Sequence, residues 1–209
     1  MSELRLDPVA LRVLLDLRNP LSYLALGPTR ALATELGIEV DWLPLAAPPL
    51  NPPSQPAPED DRGVRHRRSR AQALARDIET YAAAQGLVIR DYYRAPDTEP
   101  ASRAWLWLRE QHPKQLPDFL EALFRSYWEG KLDPSQEDAV VALLEGAGAP
   151  GVGFGAEGAK ATAELAAACE ARGWFQAPGF IVEDEVFYGR QHLPMIRWIL
   201  EGRLGPVPI

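Results

Sequence analysis

The chain has a single cysteine, Cys169, in 209 residues. One thiol excludes an internal disulfide framework and an intramolecular dithiol couple, so neither covalent stapling nor dithiol redox chemistry is open to it. The three histidines, His66, His112 and His192, have no metal-ligand spacing among themselves or with Cys169, and no resident metal is expected. There is no run of about 18 apolar residues, hence no candidate membrane span. Residues 1–10 carry Glu3, Arg5 and Asp7 ahead of any apolar stretch, unlike a secretory signal, and cytoplasmic residence is the expectation. Positive charge is in deficit: the formal net charge is −7, which favours solubility and works against general affinity for nucleic acid.

What remains is ordinary globular material, 46% hydrophobic and 24% charged, long enough to bury a sizeable core. Residues 11–17 form a mostly apolar run suited to a buried parallel strand. Residues 20–36 read as a helix ended by Gly37, and residues 38–42 alternate apolar and acidic, as a second strand does. Strand, helix and strand at this spacing make a parallel crossover, so the chain opens as α/β. Near the other end, a hairpin around Glu183-Asp184 followed by a helix through Trp198 is expected.

The middle reads differently. Seven prolines in residues 44–58 remove so many amide donors that an irregular loop is predicted. From 59 to 172 every periodic pattern is helical. Ala101, Ala104, Trp105 and Leu108 share one face, and Phe119, Leu120, Leu123, Phe124, Tyr127 and Trp128 another. Asp133-Pro134-Ser135-Gln136 reads as a capping box with proline at N1. Gly151-Val152-Gly153-Phe154-Gly155-Ala156 fits a dinucleotide-binding string, but a helical run and Pro150 precede it where a strand is needed, so a helix-to-helix loop is expected. Arg62, Arg65, Arg67, Arg68, Arg70 and Arg76 adjoin Glu59-Asp60-Asp61 and have no interleaved aromatics, the pattern of a solvated helix face. Cys169 lies in an alanine-rich helix and reads as a buried small hydrophobe.

The junction at residues 16–24, Asp16-Leu17-Arg18-Asn19-Pro20-Leu21-Ser22-Tyr23-Leu24, sends the first strand straight into the helix. Asn is a leading N-cap and Pro is favoured at N1, so Asn19-Pro20 starts a helix with no further purpose required. Ser22, one turn inside, either faces a ligand or bonds local backbone. A Cys-x-x-Cys motif of a thiol-disulfide enzyme would occupy positions 19 and 22, where the helix dipole lowers a thiol pKa; neither is cysteine here.

This junction resembles the 2-hydroxychromene-2-carboxylate isomerase and kappa-class glutathione transferase branch of the DsbA-like thioredoxin-fold family. So do Gln176-Ala177-Pro178-Gly179-Phe180, the following Glu185-Val186-Phe187-Tyr188-Gly189, and the helical phrases Ser102-Arg103-Ala104 and Phe124-Arg125-Ser126-Tyr127-Trp128. The resemblance implies an α/β thioredoxin-like fold with a large helical insertion, residues 1–58 and 173–209 forming the thioredoxin-like domain and 59–172 the inserted helical domain. It implies glutathione as cofactor, an aromatic carboxylic acid as substrate, and a thiolate that adds, permits bond rotation and is expelled. Asn19 then takes the sulfur-activating position, with Ser22 beside it. Ala177 and a cis Pro178 would turn backbone groups toward the thiol ligand. Gln191 and His192 stand in the glutathione-anchoring turn, where the family's Asp-Arg-Leu is Gln191-His192-Leu193. A homodimer is compatible with this reading, and no membrane or nucleic-acid partner is implied. The rival from another class is a non-catalytic thioredoxin-like binding module that keeps the groove without the chemistry.

With positions 19 and 22 lacking thiols and Cys169 lacking a partner, the purified protein is expected to show no dithiol oxidoreductase activity. An insulin-reduction assay checks this; a rate above background that disappears in Cys169→Ala would contradict it.

Overall fold

A computed structural model describes residues 4–57 and 61–208. Strand β1 (Leu11–Leu15) leads into helix α1 (Pro20–Leu36) and strand β2 (Val40–Pro44). Five helices follow: α2 (Arg62–Gln85), α3 (Glu99–Gln111), α4 (Leu116–Trp128), α5 (Glu137–Gly146) and α6 (Phe154–Arg172). The chain closes with β3 (Gly179–Val182), β4 (Glu185–Tyr188), a 3-10 turn (Arg190–His192) and α7 (Leu193–Leu200). The sheet order is β2-β1-β3-β4, with β1 parallel to β2 and the other two pairings antiparallel. The thioredoxin-like sheet and helical insertion expected from the sequence are therefore present. The expected boundary between residues 58 and 59 lies outside the described residues, as do Glu59, Asp60 and the first three residues of the chain.

Strand periodicity divides the core in two. Leu11, Val13, Leu15, Trp42, Phe180 and Val182 face one side, where they join Tyr23 of α1, Trp105 of α3, Phe119 and Phe124 of α4, and Ile196 of α7. Leu14, Leu43 and Ile181 face the other side and meet Leu106, Trp174, and Leu165 and Cys169 of α6. The larger cluster takes in both sheet and inserted helices: α3 packs on β2, and α4, α5 and α6 pack on α3. Gly158 marks how closely α6 approaches α3: a Cβ there would sit 2.7 Å from Arg103 Cβ and 2.8 Å from Arg103 O.

Helix α1 carries Pro28 in its interior. Proline removes the amide that would bond the carbonyl four residues back, and that carbonyl, Leu24 O, accepts instead from Gln85 Nε2 of α2 at 3.2 Å. The same contact seats α2 on α1, where Ile78 and Ala82 pack on Leu24. The helix stops at Gly37, whose φ of 64° is left-handed. The arginine-rich face of α2 is mostly exposed, and Arg68 ties back the proline loop by donating to Ser54 O and Gln55 O.

Three local expectations need correction. The second strand spans residues 40–44, two later than predicted, because pairing with β1 sets its register. Residues 133–136 are not a helix start: Asp133 accepts from the Ser135 N–H and hydroxyl in a turn, and α5 begins at Glu137 after Gln136. The first strand ends at Leu15, leaving 16–19 to make the bend into α1. Residues 151–153, by contrast, form the expected connection between two helices, with Gly153 at φ 100°.

On the second sheet face, Arg12 and Asp41 sit opposite each other on β1 and β2. Asp41 accepts from Arg12 Nε at 2.6 Å and from Arg109 Nε and Nη2 at 2.5 and 3.1 Å, and its side chain is 6% exposed. Removing this carboxylate leaves the buried Arg12 without its ion-pair partner, while Arg109 keeps Glu110 and the Arg5 carbonyl. Asp41→Ala is expected to cost about 3–5 kcal/mol in urea denaturation, whereas Asp118→Ala, whose carboxylate is 76% exposed beside Arg30, leaves the midpoint nearly unchanged.

Candidate active site

The bend from β1 into α1 is organised by Asp16, a buried carboxylate at the end of an apolar strand. Its Oδ1 accepts from the Arg18 N–H at 2.8 Å and Arg18 Nε at 3.1 Å, and its Oδ2 from Arg18 Nη2 at 2.9 Å and the Ala47 N–H at 2.8 Å. Arg18 Nη2 also donates to Ala47 O at 2.8 Å. The hydrogen bond to Asp16 raises the Arg18 pKa further, against the opposing effect of burial. Asp16 and Arg18 thus fasten the start of the proline loop to the strand-helix junction. No role was expected for either from sequence, although an acid closing an otherwise apolar strand was the available signal.

Asn19 follows, extended at φ −99° and ψ 113°, and caps α1: its Oδ1 accepts from the Leu21 N–H at 3.0 Å. Its Nδ2 donates to Ala177 O at 2.7 Å, across 158 positions of sequence. The Ala177–Pro178 peptide is cis, and Pro178 O accepts from the Gly189 N–H at 2.9 Å. The two landmarks predicted to meet, the helix start and the proline before β3, therefore touch directly.

The details differ from the sequence expectation. The Ala177 carbonyl, expected to face a ligand, is taken by Asn19, while the Ala177 N–H has no hydrogen-bond partner among the described residues. Ser22 is wholly buried, and its hydroxyl accepts from the Asp16 N–H at 3.1 Å. Of the two roles considered for it, the structure shows the backbone contact, so Ser22 positions the junction and is not exposed to a ligand.

Gln191 is exposed, and its Nε2 donates to Tyr188 O at 3.0 Å. Its amide lies over Gly189, whose φ of 99° is left-handed and favours glycine. His192 packs its ring on Phe187 with centroids 5.6 Å apart. Neighbouring Arg190, which carried no sequence signal, lies over the ring of Tyr81 from α2 at 3.4 Å. The turn at 190–192 also touches α1, which places Gln191 and His192 beside the helix that Asn19 starts.

Behind the junction, Tyr23 stacks on Phe124 with centroids 5.9 Å apart. Tyr127, fully buried, has its hydroxyl pushed up to about 12, chiefly by burial, with Arg94 pulling the other way. Cys169 belongs to the opposite sheet face, and burial raises its thiol pKa, the reverse of what a nucleophilic cysteine needs. No group of three or more metal-ligating side chains occurs among the described residues, and no helix there is long and apolar enough to cross a membrane.

A β-α-β unit and a β-hairpin with a closing helix, joined in one sheet of order β2-β1-β3-β4, define a thioredoxin-like fold. The match of residues 10–201 to the DSBA-like thioredoxin domain makes this chain a member of that family. Among solved structures it is similar to 2-hydroxychromene-2-carboxylate isomerase, with TM-score 0.70 and 18% identity over 93% of this chain and 95% of that one. It is similar to a probable DsbA oxidoreductase from Streptomyces coelicolor, with TM-score 0.68 and 18% identity over 97% and 94%. A third neighbour is the cytosolic disulfide reductase DsbM from Pseudomonas aeruginosa with GSH, with TM-score 0.60 and 20% identity over 93% and 98%. At these identities the likeness establishes the fold. No curated protein matches the chain.

The two bonds of Asn19 separate capping from bridging. Asn19→Ser preserves the cap but is too short to keep the Ala177 contact, and Asn19→Ala loses both. Asn19→Ala is expected to cost about 0.5–2 kcal/mol from the cap alone, with a further net loss of about 0.5–1.5 kcal/mol for the bridge. Asn19→Ser should show only the second loss; equal destabilisation by Ser and Ala in chemical denaturation would contradict this division.

Proposed function

We propose that this protein binds a small-molecule thiol, glutathione in the first instance, at the corner between Asn19 and Ala177, and uses it in an isomerase or transferase reaction on an aromatic carboxylic acid. The observation that carries the reading is the Asn19–Ala177 bridge. It keeps the helix start and the cis-proline segment together with no thiol at position 19 or 22. In such a corner the sulfur must come from the ligand, and any anion formed on it is favoured by the N-terminus of α1, worth about 0.3–1 kcal/mol.

In this reading Asn19 keeps one Nδ2–H for the sulfur, since the other donates to Ala177 O, and the unpaired Ala177 N–H offers a backbone donor to an extended thiol ligand. The ligand thiolate would add to the substrate, allow rotation about the bond so relieved, and leave as the original bond order returns. Cysteine-based disulfide exchange within the chain plays no part. Glutathione's amino group meets Gln191 and His192 in place of an acid, which weakens that end of the site; a charge-assisted contact is worth about 1.5–3 kcal/mol. The solved GSH complex of DsbM supports the choice of thiol, and the likeness to 2-hydroxychromene-2-carboxylate isomerase supports the choice of chemistry.

A second reading, a binding module without catalysis, is favoured by one observation: Asn19 already spends its Oδ1 and one N–H on the protein itself. Calorimetric titration with glutathione separates the two. The wild type is expected to bind, and Gln191→Asp to bind at least several-fold tighter by restoring an acid for the amino group. Asn19→Ser, which supplies a hydroxyl, is expected to lower the pKa of the bound thiol, read from thiolate absorbance. Absence of glutathione binding in both the wild type and a folded Asn19→Ser, Gln191→Asp double variant would leave the binding-module reading.

A further inference from the structure

Most of the well-covered arginines of this protein have carboxylate partners. Arg12 and Arg109 share Asp41, Arg18 holds Asp16, and Arg103 pairs with Glu99 and Glu137. Arg94 is the exception: no ion pair involves it among the described residues, and its Nε and Nη2 are buried without a hydrogen-bond partner. Its guanidinium lies over the Tyr127 ring, 3.7 Å from the centroid, and the Tyr127 hydroxyl donates to Arg94 O at 3.4 Å. The side chain is thus held against a fully buried aromatic with no carboxylate in ion-pair contact, the nearest acidic influence being Asp133 across the cleft, whose pKa Arg94 helps to lower. A covered guanidinium with two unmade N–H bonds is costly. Folding retains it here at the edge of an open cleft.

That cleft has Arg94, Ala95 and Pro96 on one wall and residues 130–134 on the other. Ala95, Pro96, Leu132 and Pro134 give it an apolar lining. Its other charged groups have hydrogen-bond partners of their own. Lys131 Nζ pairs with Glu129 Oε2 at 2.6 Å, and Asp133 Oδ1 accepts from the Ser135 N–H and hydroxyl at 3.1 and 2.7 Å. Arg94 lies on the same end of the molecule as the strand-helix junction, since the buried Tyr127 hydroxyl feels both Arg94 and the Asp16–Arg18 pair.

We propose that Arg94 is the carboxylate-binding residue of this protein, its guanidinium fork receiving the carboxylate of a small molecule whose apolar body lies along Ala95, Pro96, Leu132 and Pro134. An Arg fork matches a carboxylate with two parallel N–H···O bonds, and the lining fits an aromatic acid. The assignment of that acid as the substrate rests on the function proposed above; recognition of a carboxylate rests on the cleft alone. Glutathione also carries carboxylates, and the experiment separates the two sources.

The full chain is titrated calorimetrically with benzoate, with its neutral counterpart benzamide, and with glutathione, as wild type, Arg94→Met and Arg94→Lys. Benzoate is expected to bind the wild type at least tenfold tighter than benzamide. Arg94→Met should lose that preference and at least tenfold in benzoate affinity while keeping glutathione affinity, with Arg94→Lys in between because it keeps charge without the fork. Loss of glutathione affinity in place of benzoate affinity would assign the same fork to a glutathione carboxylate. Equal binding of benzoate and benzamide together with unchanged glutathione affinity in the folded variants, or no binding of either carboxylate by the wild type, overturns the proposal. Arg94-dependent benzoate binding in a protein that does not bind glutathione leaves Arg94 in place and removes the thiol-dependent function. Should Arg94→Met fail to fold, the wild-type preference for benzoate over benzamide and its reduction in Arg94→Lys decide the matter.

Discussion

The carboxylate of Asp16 is the contact on which this architecture turns. Two parallel strands end side by side at Leu15 and Pro44, one bound for a helix and the other for a loop so rich in proline that it has few amides to pair. A buried carboxylate accepting from Arg18 and from the Ala47 N–H holds both exits at once, and the neighbouring guanidinium supplies the opposite charge that makes the burial tolerable. The backbone amide of Asp16 is held in turn by Ser22. Asn19 is presented to Ala177 because the three residues before it are fixed in this way.

Seen from that junction, the replacement of a thiol by asparagine changes the chemistry more than the frame. A cysteine at position 19 has no amide with which to span the gap to Ala177, so its corner would leave that carbonyl free for a peptide or thiol ligand. Asparagine fills the role from within the protein and narrows the ligand's share to the Ala177 N–H and the remaining amide hydrogen. An extended polypeptide, which needs both backbone groups to add as a strand, finds only one of them unoccupied at Ala177.

How much of this was legible in the sequence follows from the range of each interaction. The α1 limits were readable because Asn19-Pro20 and Gly37 are local punctuation, and the first strand because residues 11–17 form a mostly apolar run; its two faces were not assigned until the sheet formed around it. The meeting of Asn19 with Pro178 was reachable through a family likeness, since no local rule joins residues so far apart. The destination of the Ala177 carbonyl was not readable: it depends on which way one amide points once two distant segments meet. Pro28 did not interrupt the helix read over residues 20–36, and its compensation by Gln85, 57 residues later in the chain, is visible only in the fold. Arg94 carries no local signal, because what distinguishes it is the Tyr127 ring packed beneath it.

Trp105 has a consequence beyond filling the core. The Leu45 N–H donates to Leu15 O, so alternate residues of β2 turn toward β1 and Trp42 turns its carbonyl outward, where Trp105 Nε1 donates to it at 3.1 Å. The next outward-turned residue is Pro44, which has no amide to offer. The outer margin of β2 therefore presents an acceptor already taken and a donor that does not exist. A neighbouring chain seeking to extend the sheet at this end of β2 is thereby denied one acceptor and one donor, which blunts the edge where β2 runs into the proline loop.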